Sequence, residues 1–200
     1  ALGEGEVPVG ESFATTTVSI TPSIYGSFFE LSKSLVRKGI FETKVIDAPE
    51  LLGEQAGLTV DTLIRNAVDA GVVAAPAGGQ ASEAAVTAVD VMGFDEIVNA
   101  RRLLQRNNAL PFAELGDRYA LIIHPDNEYD LIMDSTIQTF FAHGYPAPEG
   151  SPWFGRAVLD ILDVRVFVSS NVNSTNSGGA SSTDTYDCFM IGRDCVAVAG

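Results

Sequence analysis

Few residues in this chain of 200 are of the types that catalyse reactions or bind transition metals. There are two histidines, His124 and His143, and two cysteines, Cys188 and Cys195. A catalytic triad or a zinc site requires a histidine with suitable partners, and neither histidine belongs to a recognisable pattern of that kind. The cysteines lack the C-x-x-C spacing of a metal knuckle. We therefore predict no catalytic, cofactor-binding or metal-binding residues, and no cofactor.

The tripeptide His124-Pro125-Asp126 is also used by J-domain cochaperones, in which it lies between two helices and engages the chaperone. In this chain it follows the apolar run "YALII", and no basic helix precedes it. We interpret it as the end of a strand, a rigid proline and an aspartate, Asp126, that caps the next helix. His143 lies in a connection rich in Gly and Pro, and we expect it to be a loop residue.

Two other stretches could suggest binding sites. The first is a carboxylate run, Asp126, Glu128, Asp130 and Asp134. Acidic groups at a helix start interact favourably with the helix dipole, and this spacing is not that of a calcium-binding loop, so we expect a solvated face. The second, "AGGQASEAA", lacks the G-K-[ST] ending of a phosphate loop and the G-x-G-x-x-G fingerprint. An acidic α/β enzyme with an unrecognised site is the less favoured alternative function.

The register of the two cysteines depends on a turn that the sequence does not fix. If Gly192 and Arg193 form a two-residue turn, Cys188 and Cys195 are out of register for a cross-strand disulfide. A turn centred one residue earlier would align them. We expect reduced, structural thiols.

The charge balance excludes several classes of partner. The chain has 26 acidic and 12 basic residues and a formal net charge of -14. This opposes tight, sequence-independent binding to nucleic acid and docking on anionic lipid, since both require clustered Lys and Arg. No apolar run is long enough to span a membrane, and "ALGEGEVPVG" is unlike a signal peptide. Because the chain starts without Met and stops within an apolar run, we expect further residues at one or both ends.

One long helix dominates the predicted secondary structure, from residue 48 to residue 70. Asp47 and Glu50 match a capping box, with Pro49 in the first turn and Gly71 just past the end. One narrow apolar stripe follows the helix: Leu52, Ala56, Val60, Leu63, Ala67 and Ala70. Since this stripe is too narrow for the core of a bundle, the helix should lie across another element.

The remaining patterns predict an α+β chain. Residues 12–36 alternate like an extended hairpin arm, and 72–92 resemble a strand, a turn and a return strand. A second helix is predicted from Phe94 to about Asn107, with Ile97, Ala100, Leu103 and Leu104 on its buried face. Further predicted elements are a strand at 119–125, a short helix at 127–134, a strand with Val164, Val166 and Val168 on one face, an exposed polar loop at 169–185, and strands at 186–191 and 195–199.

Several stretches resemble one family in the same order along the chain. They are "ELLGEQAGLTVDTLIRNAVDAG", "VMGFDEIVNARRLLQRNNALPF", "YALIIHPDNEYDLIMD" and "DVRVFVSSN". They are similar to the major capsid proteins of a large group of tailed bacteriophages, typified by that of a large podophage of enteric bacteria. The resemblance extends from about residue 5 to residue 198.

The resemblance implies the Hong Kong 97 capsid fold. Residues 1–36 would be an extended loop arm that reaches a neighbouring subunit. Residues 37–92 would be a peripheral domain whose spine helix, 48–70, packs its stripe on the peripheral sheet. Residues 93–200 would be the axial domain. In this comparison the N-terminal arm before the loop and the C-terminal end are missing, and no crosslinking Lys–Asn pair can be assigned.

The implied function is that of a structural subunit, without enzymatic activity, which assembles as hexamers and pentamers into an icosahedral virion shell around double-stranded DNA. Assembly would take place in the host cytoplasm, with portal, scaffold or decoration proteins as further partners and without a membrane. A nanocompartment shell protein, which shares the fold but encloses enzymes, is the alternative.

The net charge predicts how the subunit responds to DNA and to salt. We expect no measurable affinity for duplex DNA at physiological salt, because acidic subunits repel phosphate. We also expect assembly to become easier as salt rises, because screening weakens repulsion between subunits. A gel-shift assay and light scattering across a salt series measure both effects. Micromolar DNA binding that weakens steeply with salt would contradict the prediction.

Overall fold

The computed structural model describes residues 41–142 and 160–196, together with positions 19, 21, 23–28, 30 and 33. Four helices lie within these residues: α1 (Phe41–Gly71), α2 (Phe94–Arg106), α3 (Pro125–Met133) and α4 (Ser135–Ala142). The same residues contain six strands: β1 (Tyr119–Ile123), β2 (Asp160–Ile161), β3 (Val164–Val168), β4 (Ser174–Thr175), β5 (Thr185–Tyr186) and β6 (Phe189–Ile191). This mixture of helices and sheet is compatible with the predicted α+β class.

A mixed four-stranded sheet, with strand order β2-β3-β1-β6, forms the centre of the described part. Strand β1 pairs in parallel with β3, so that Tyr119 lies opposite Val164 and Ile123 opposite Val168. Its other edge pairs antiparallel with β6, with Leu121 opposite Met190. The sequence of β1, "YALII", is continuously apolar because the strand is central and covered.

The hydrophobic core lies where α2, α3 and α4 cover this sheet. Its buried members are Ile97, Tyr119, Leu121, Ile123, Leu131, Ile137, Val164 and Val166. Full burial of one such side chain contributes about 1.5–3 kcal/mol to folding. The core therefore takes one residue from each of these helices and the inward faces of β1 and β3.

Helix α2 confirms the second predicted helix to within one residue. Its first turn is fixed by two carboxylates. Glu96 Oε2 accepts the Gly93 N–H at 3.1 Å, and Asp134 Oδ2 accepts the Phe94 N–H at 2.7 Å. Ile97 is fully buried, whereas the other three residues of the predicted buried face are half-buried: Ala100, Leu103 and Leu104.

The start of α1 was predicted incorrectly, although the helix covers all of residues 48–70. It begins at Phe41, so Asp47 is an interior residue and not an N-cap, and Pro49 lies inside the helix. Helix-forming residues such as Glu42 and Lys44 extend it before the proline. An Asp and a Glu three residues apart occur in helix interiors as well as at helix starts, so the pattern was ambiguous. Asp47→Ala should therefore not carry the cost of about 1 kcal/mol that the loss of an N-cap would have.

The predicted strand pair within residues 72–92 is wrong. This segment contains two short 3₁₀ turns, Ala77–Gly79 and Glu83–Ala85, and no strand. Gly78 has a positive φ of 64°, and a Cβ there would collide with the carboxylate of Asp90. Asp90 Oδ2 accepts the backbone N–H and the hydroxyl of Thr87. Alanine-rich sequence has little strand propensity, and these side-chain bonds stabilise turns instead.

The segment 169–185, predicted to be an exposed polar loop, is packed against residues 83–86. Val172 and Thr185 are buried, and β4 pairs with β5 around the end of the segment. The Ala180 N–H donates to the Val86 carbonyl at 2.7 Å. Polar residues can build such a segment because hydrogen bonds, rather than a large apolar surface, stabilise it.

The other strand predictions are largely confirmed. Val164 and Val166 are buried, but Val168 at the end of β3 is 39% exposed. The predicted strand 186–191 is shorter, Phe189–Ile191, and residue 196 is the last that the structure describes. Both cysteines are free, as expected. The arm at 12–36 lies mostly, and His143 entirely, outside the described residues.

We predict that Leu131→Ala lowers the free energy of unfolding by about 2–5 kcal/mol, because Leu131 is 1% exposed in the core. Met133→Ala, two residues along α3 and 55% exposed, is the matched control and should change it by less than about 0.5 kcal/mol. Urea denaturation of the unassembled subunit measures both. Equal losses would mean that α3 does not face the core as described.

Candidate subunit-contact site

Helix α1 is very little buried for an element of 31 residues. From Ala48 to Gly71 every residue is half-buried or exposed, and Leu51, Leu58 and Val60 are 54–57% exposed. Most helical stability in proteins comes from packing of an apolar face. The described part of the chain provides little such packing for α1, so the helix exposes apolar surface that another surface could cover.

The contact that attaches α1 to the rest of the described chain centres on Asn171, which lies after β3. The Arg65 guanidinium donates to the Asn171 carbonyl at 2.8 Å and to its side-chain oxygen at 3.2 Å. The Asn171 amide donates to Asp61 at 2.5 Å and to the Thr62 hydroxyl at 3.3 Å. Asp61 and Arg65, which are of opposite charge and four positions apart on the helix, both bind Asn171. Polar side chains hold the helix at this point.

Part of the predicted apolar stripe, Ala56, Val60 and Ala67, is exposed and faces away from this attachment, whereas Leu52 and Leu63 are half-buried. With 3.6 residues per turn, Val60 and Ala67 lie roughly opposite Thr62 and Arg65 on the helix. We define the outer stripe as the exposed apolar residues along that side: Ala56, Val60, Ile64 and Ala67. No described element covers these four residues, and packing of the predicted stripe on a peripheral sheet stays a prediction. The Asn171 network holds the side of α1 with Asp61, Thr62 and Arg65 inward, which leaves the outer stripe outward.

A short described part of the N-terminal region, residues 23–28, lies beside α1. The Ser27 hydroxyl donates to Gln55 Oε1 at 3.4 Å. The apolar side chains of this segment are directed to solvent: Ile24 is 102% exposed, Tyr25 61% and Phe28 83%. We call residues 23–28 the arm segment. Like the outer stripe, it carries apolar groups that the described part of the subunit leaves uncovered.

The tripeptide His124-Pro125-Asp126 forms a junction between β1 and α3. His124, and not Asp126 as predicted, is the N-cap residue, since its Nδ1 accepts the Asp126 N–H at 3.2 Å. The His124 ring stacks on Tyr186 with 4.4 Å between ring centroids. The Tyr186 hydroxyl donates to Asp126 at 2.5 Å, and this bond raises the pKa of Tyr186. These contacts join α3 to β5 and have a structural role.

The cysteines are poor candidates for nucleophiles. Burial raises the pKa of the Cys188 thiol to about 11, so that it stays protonated near neutral pH. Cys195 is exposed and free, and it lies seven positions along the chain from Cys188. Neither thiol belongs to a nucleophile–base pair among the described residues.

The carboxylate run also has structural contacts. Burial raises the pKa of Asp134, but hydrogen bonds from the Phe94 and Thr136 backbone N–H groups outweigh burial and lower it overall. Asp130 is half-buried, and burial followed by the Asp126 charge raises its pKa. Within the described ranges no group of three potential ligands could hold a metal ion. No described helix is both long and apolar enough to cross a membrane.

Sequence reasoning found part of this site and missed the rest. The spacing of apolar residues on α1 predicted three residues of the outer stripe, Ala56, Val60 and Ala67, but neither Ile64 nor the orientation of the stripe. Asn171 was missed because it lies in a polar segment where a single asparagine gives no distinctive signal. The three residues that it contacts, Asp61, Thr62 and Arg65, lie on one helix face, but this spacing alone does not indicate a partner elsewhere in the chain.

The chain matches a family model described as phage capsid protein over residues 15–197. Because the match covers most of its length, the chain belongs to this family. It is therefore a structural capsid subunit of a bacteriophage, which self-assembles and is located in the virion capsid. No curated protein and no solved structure shows significant similarity to it.

We predict that Asn171→Ala releases α1 from the rest of the subunit, because it removes the side-chain bonds to Asp61, Thr62 and Arg65. Each lost bond costs about 0.5–1.5 kcal/mol in local stability. Hydrogen exchange of the amides of residues 58–66 should become at least about fivefold faster. Asn173→Ala, which removes the 2.8 Å bond to Asp187, is the control and should leave α1 unchanged. Equal exchange in both variants would show that Asn171 does not hold α1.

Proposed function

We propose that this capsid protein is the subunit of an icosahedral shell that encloses double-stranded DNA, with the domain arrangement of the Hong Kong 97 fold. In this proposal residues 1–36 are the loop arm, 37–92 a peripheral domain built on α1, and 93–200 the axial domain. One observation carries it: a long helix is attached through Asp61, Thr62 and Arg65 and exposes the outer stripe along its opposite side.

The uncovered apolar surfaces on α1 and on the arm segment complement each other. Ile24, Tyr25 and Phe28 are large exposed side chains, whereas Ala56, Val60 and Ala67 on α1 are small and leave room for large side chains of a neighbour. The Ser27–Gln55 contact holds the arm segment at its own α1 while its apolar groups are directed outward. A neighbouring subunit that supplies its α1 would cover these groups, at about 1.5–3 kcal/mol for each large side chain.

The charge of the chain supports enclosure of a genome without tight binding. A formal charge of -14 on each of many copies gives a shell that repels phosphate. DNA can then be packed and released without strong contacts to the wall. We further propose assembly in the host cytoplasm, with portal, scaffold or decoration proteins as additional partners.

The contacts of the chemically reactive residues support a role without catalysis. His124, Asp126 and Tyr186 bind one another at a junction of structural elements, and the Cys188 thiol is kept protonated by burial. This leaves surface contact with other subunits as the role that the described residues support.

Two changes to the arm test the proposal. We predict that deletion of residues 8–25, or combined replacement of Ile24, Tyr25 and Phe28 by Ser, leaves a folded subunit that assembles at least about tenfold less well, because the neighbour's outer stripe stays uncovered. Sedimentation velocity and electron microscopy measure particle formation, and circular dichroism measures folding. Val89→Ser, at an 84% exposed site that belongs to neither the arm segment nor the outer stripe, is the control.

Normal particles from both arm variants would contradict the role of the arm. Particles that protect double-stranded DNA from nuclease would support a genome shell. Particles that instead contain co-purified enzymes would favour a nanocompartment. A wild-type subunit that stays monomeric at high concentration and high salt would contradict self-assembly by this chain.

A further inference from the structure

Two arginines on α2 have no partner among the described residues. Arg102 and Arg106 are exposed, are one helical turn apart, and make no hydrogen bond or ion pair with another described residue. Leu110, which follows the helix, is 55% exposed. The other described arginines already interact within the chain: Arg65, Arg101, Arg118, Arg165 and Arg193. We call Arg102, Arg106 and Leu110 the basic patch.

The outward face of α3 has the opposite character. Leu131 is buried in the core, which turns Tyr129, Ile132 and Met133 outward with exposures of 61%, 43% and 55%. This apolar face is flanked by carboxylates, and α3 contains no basic residue. Glu128 makes no side-chain hydrogen bond or ion pair with another described residue. We call the following residues the acidic patch: Asp126, Glu128, Tyr129, Ile132 and Met133.

We propose that the acidic patch of one subunit binds the basic patch of a second copy of this chain. Arginine can stack on the face of Tyr129, and its aliphatic stem can cover Ile132 and Met133 while its guanidinium reaches a carboxylate. Tyr and Arg are the residue types that contribute most energy at protein interfaces. This contact rests on the proposed shell function and adds to it a second interface, separate from the arm and the outer stripe.

The two patches make no hydrogen bond or ion pair with each other among the described residues of one subunit. The N-terminus of α2 lies at the C-terminal end of α3, since the Phe94 N–H donates to Asp134 at 2.7 Å. Helix α2 has 13 residues and is therefore roughly 20 Å long. Its C-terminal end leads to Ala109, which lies at the start of β1, whereas α3 follows the end of β1. Contact between two different patches is heterologous, and its repetition closes into a ring when the rotation between copies permits.

The net charge indicates what kind of contact between two copies of this chain would be attractive. Copies that each carry -14 repel one another, so an attractive contact has to combine scarce cations with abundant carboxylates. Arg102 and Arg106 are cations that the described part of the subunit does not use itself. The environment of Asp130 also favours a cationic partner. Burial and the Asp126 charge raise the pKa of Asp130, and a nearby cation would stabilise its ionised form.

Charge reversal and exchange test the contact in the full chain. Arg106→Glu should raise the subunit concentration required for assembly about tenfold, and Glu128→Arg should act in the same direction. The double variant that combines both changes should recover most of the loss, because the charges are exchanged. Ala84→Glu combined with Ala88→Glu lowers the net charge as much as Arg106→Glu does, at exposed positions outside both patches. Light scattering against concentration measures assembly, and thermal unfolding confirms folding.

Each outcome decides the proposal. Loss in both single variants, recovery in the double variant and little change in the control would support it. If Arg106→Glu and the matched control change assembly equally, only net charge matters and the contact is wrong, although the shell function stands. Additive losses in the double variant would also overturn the contact. A wild-type chain that never assembles would overturn the shell function and this contact together.

Discussion

The central position of β1 is the constraint on which the rest of the described structure depends. Its backbone pairs with β3 on one side and β6 on the other, so it joins segments from residues 119 to 191 in one sheet. Its first residue, Tyr119, donates its hydroxyl to the Ala109 carbonyl at 2.8 Å and fixes the chain after α2. Its last residue leads directly into His124, which caps α3. Both patches on the helices are therefore positioned by this strand.

The elements that the sequence predicted well are those whose signal is local and hydrophobic. The runs "YALII" and "VRVFV" are apolar enough to require burial as central strands, and they pair in the structure. Helix α2 combines acidic residues at its start, arginines at its end and Ile97 on its buried side, and each of these signals gives the same boundaries. Secondary structure can be predicted from sequence where several independent local signals agree.

The errors occur where distant residues decide the structure. Residues 72–92 and 169–187 stabilise each other, for example by the bond from the Thr185 hydroxyl to Glu83 at 2.5 Å, and neither segment is apolar enough to indicate its partner. The outward orientation of the α1 stripe depends on Asn171, which is 110 positions from Asp61 along the chain. The sequence of α1 shows that it has an apolar side, but only the attachment determines whether that side faces the subunit or its surroundings. The apolar residues of the contact site could therefore be predicted from the sequence, but the residues that attach α1 and the orientation of the helix could not.

The two kinds of uncovered surface on the described part of the subunit would respond differently to salt. This difference affects how a shell could form. Burial of the outer stripe and the arm segment is hydrophobic, so it is non-directional and does not weaken as salt screens charges. Contact between the acidic and basic patches is directional, and salt weakens it as it also weakens the general repulsion between subunits. A subunit with only the first kind of surface would associate without a fixed geometry, and one with only the second would be opposed by its own charge. With both, apolar burial can supply most of the association energy, while the scarce arginines select the orientation in which acidic copies approach one another.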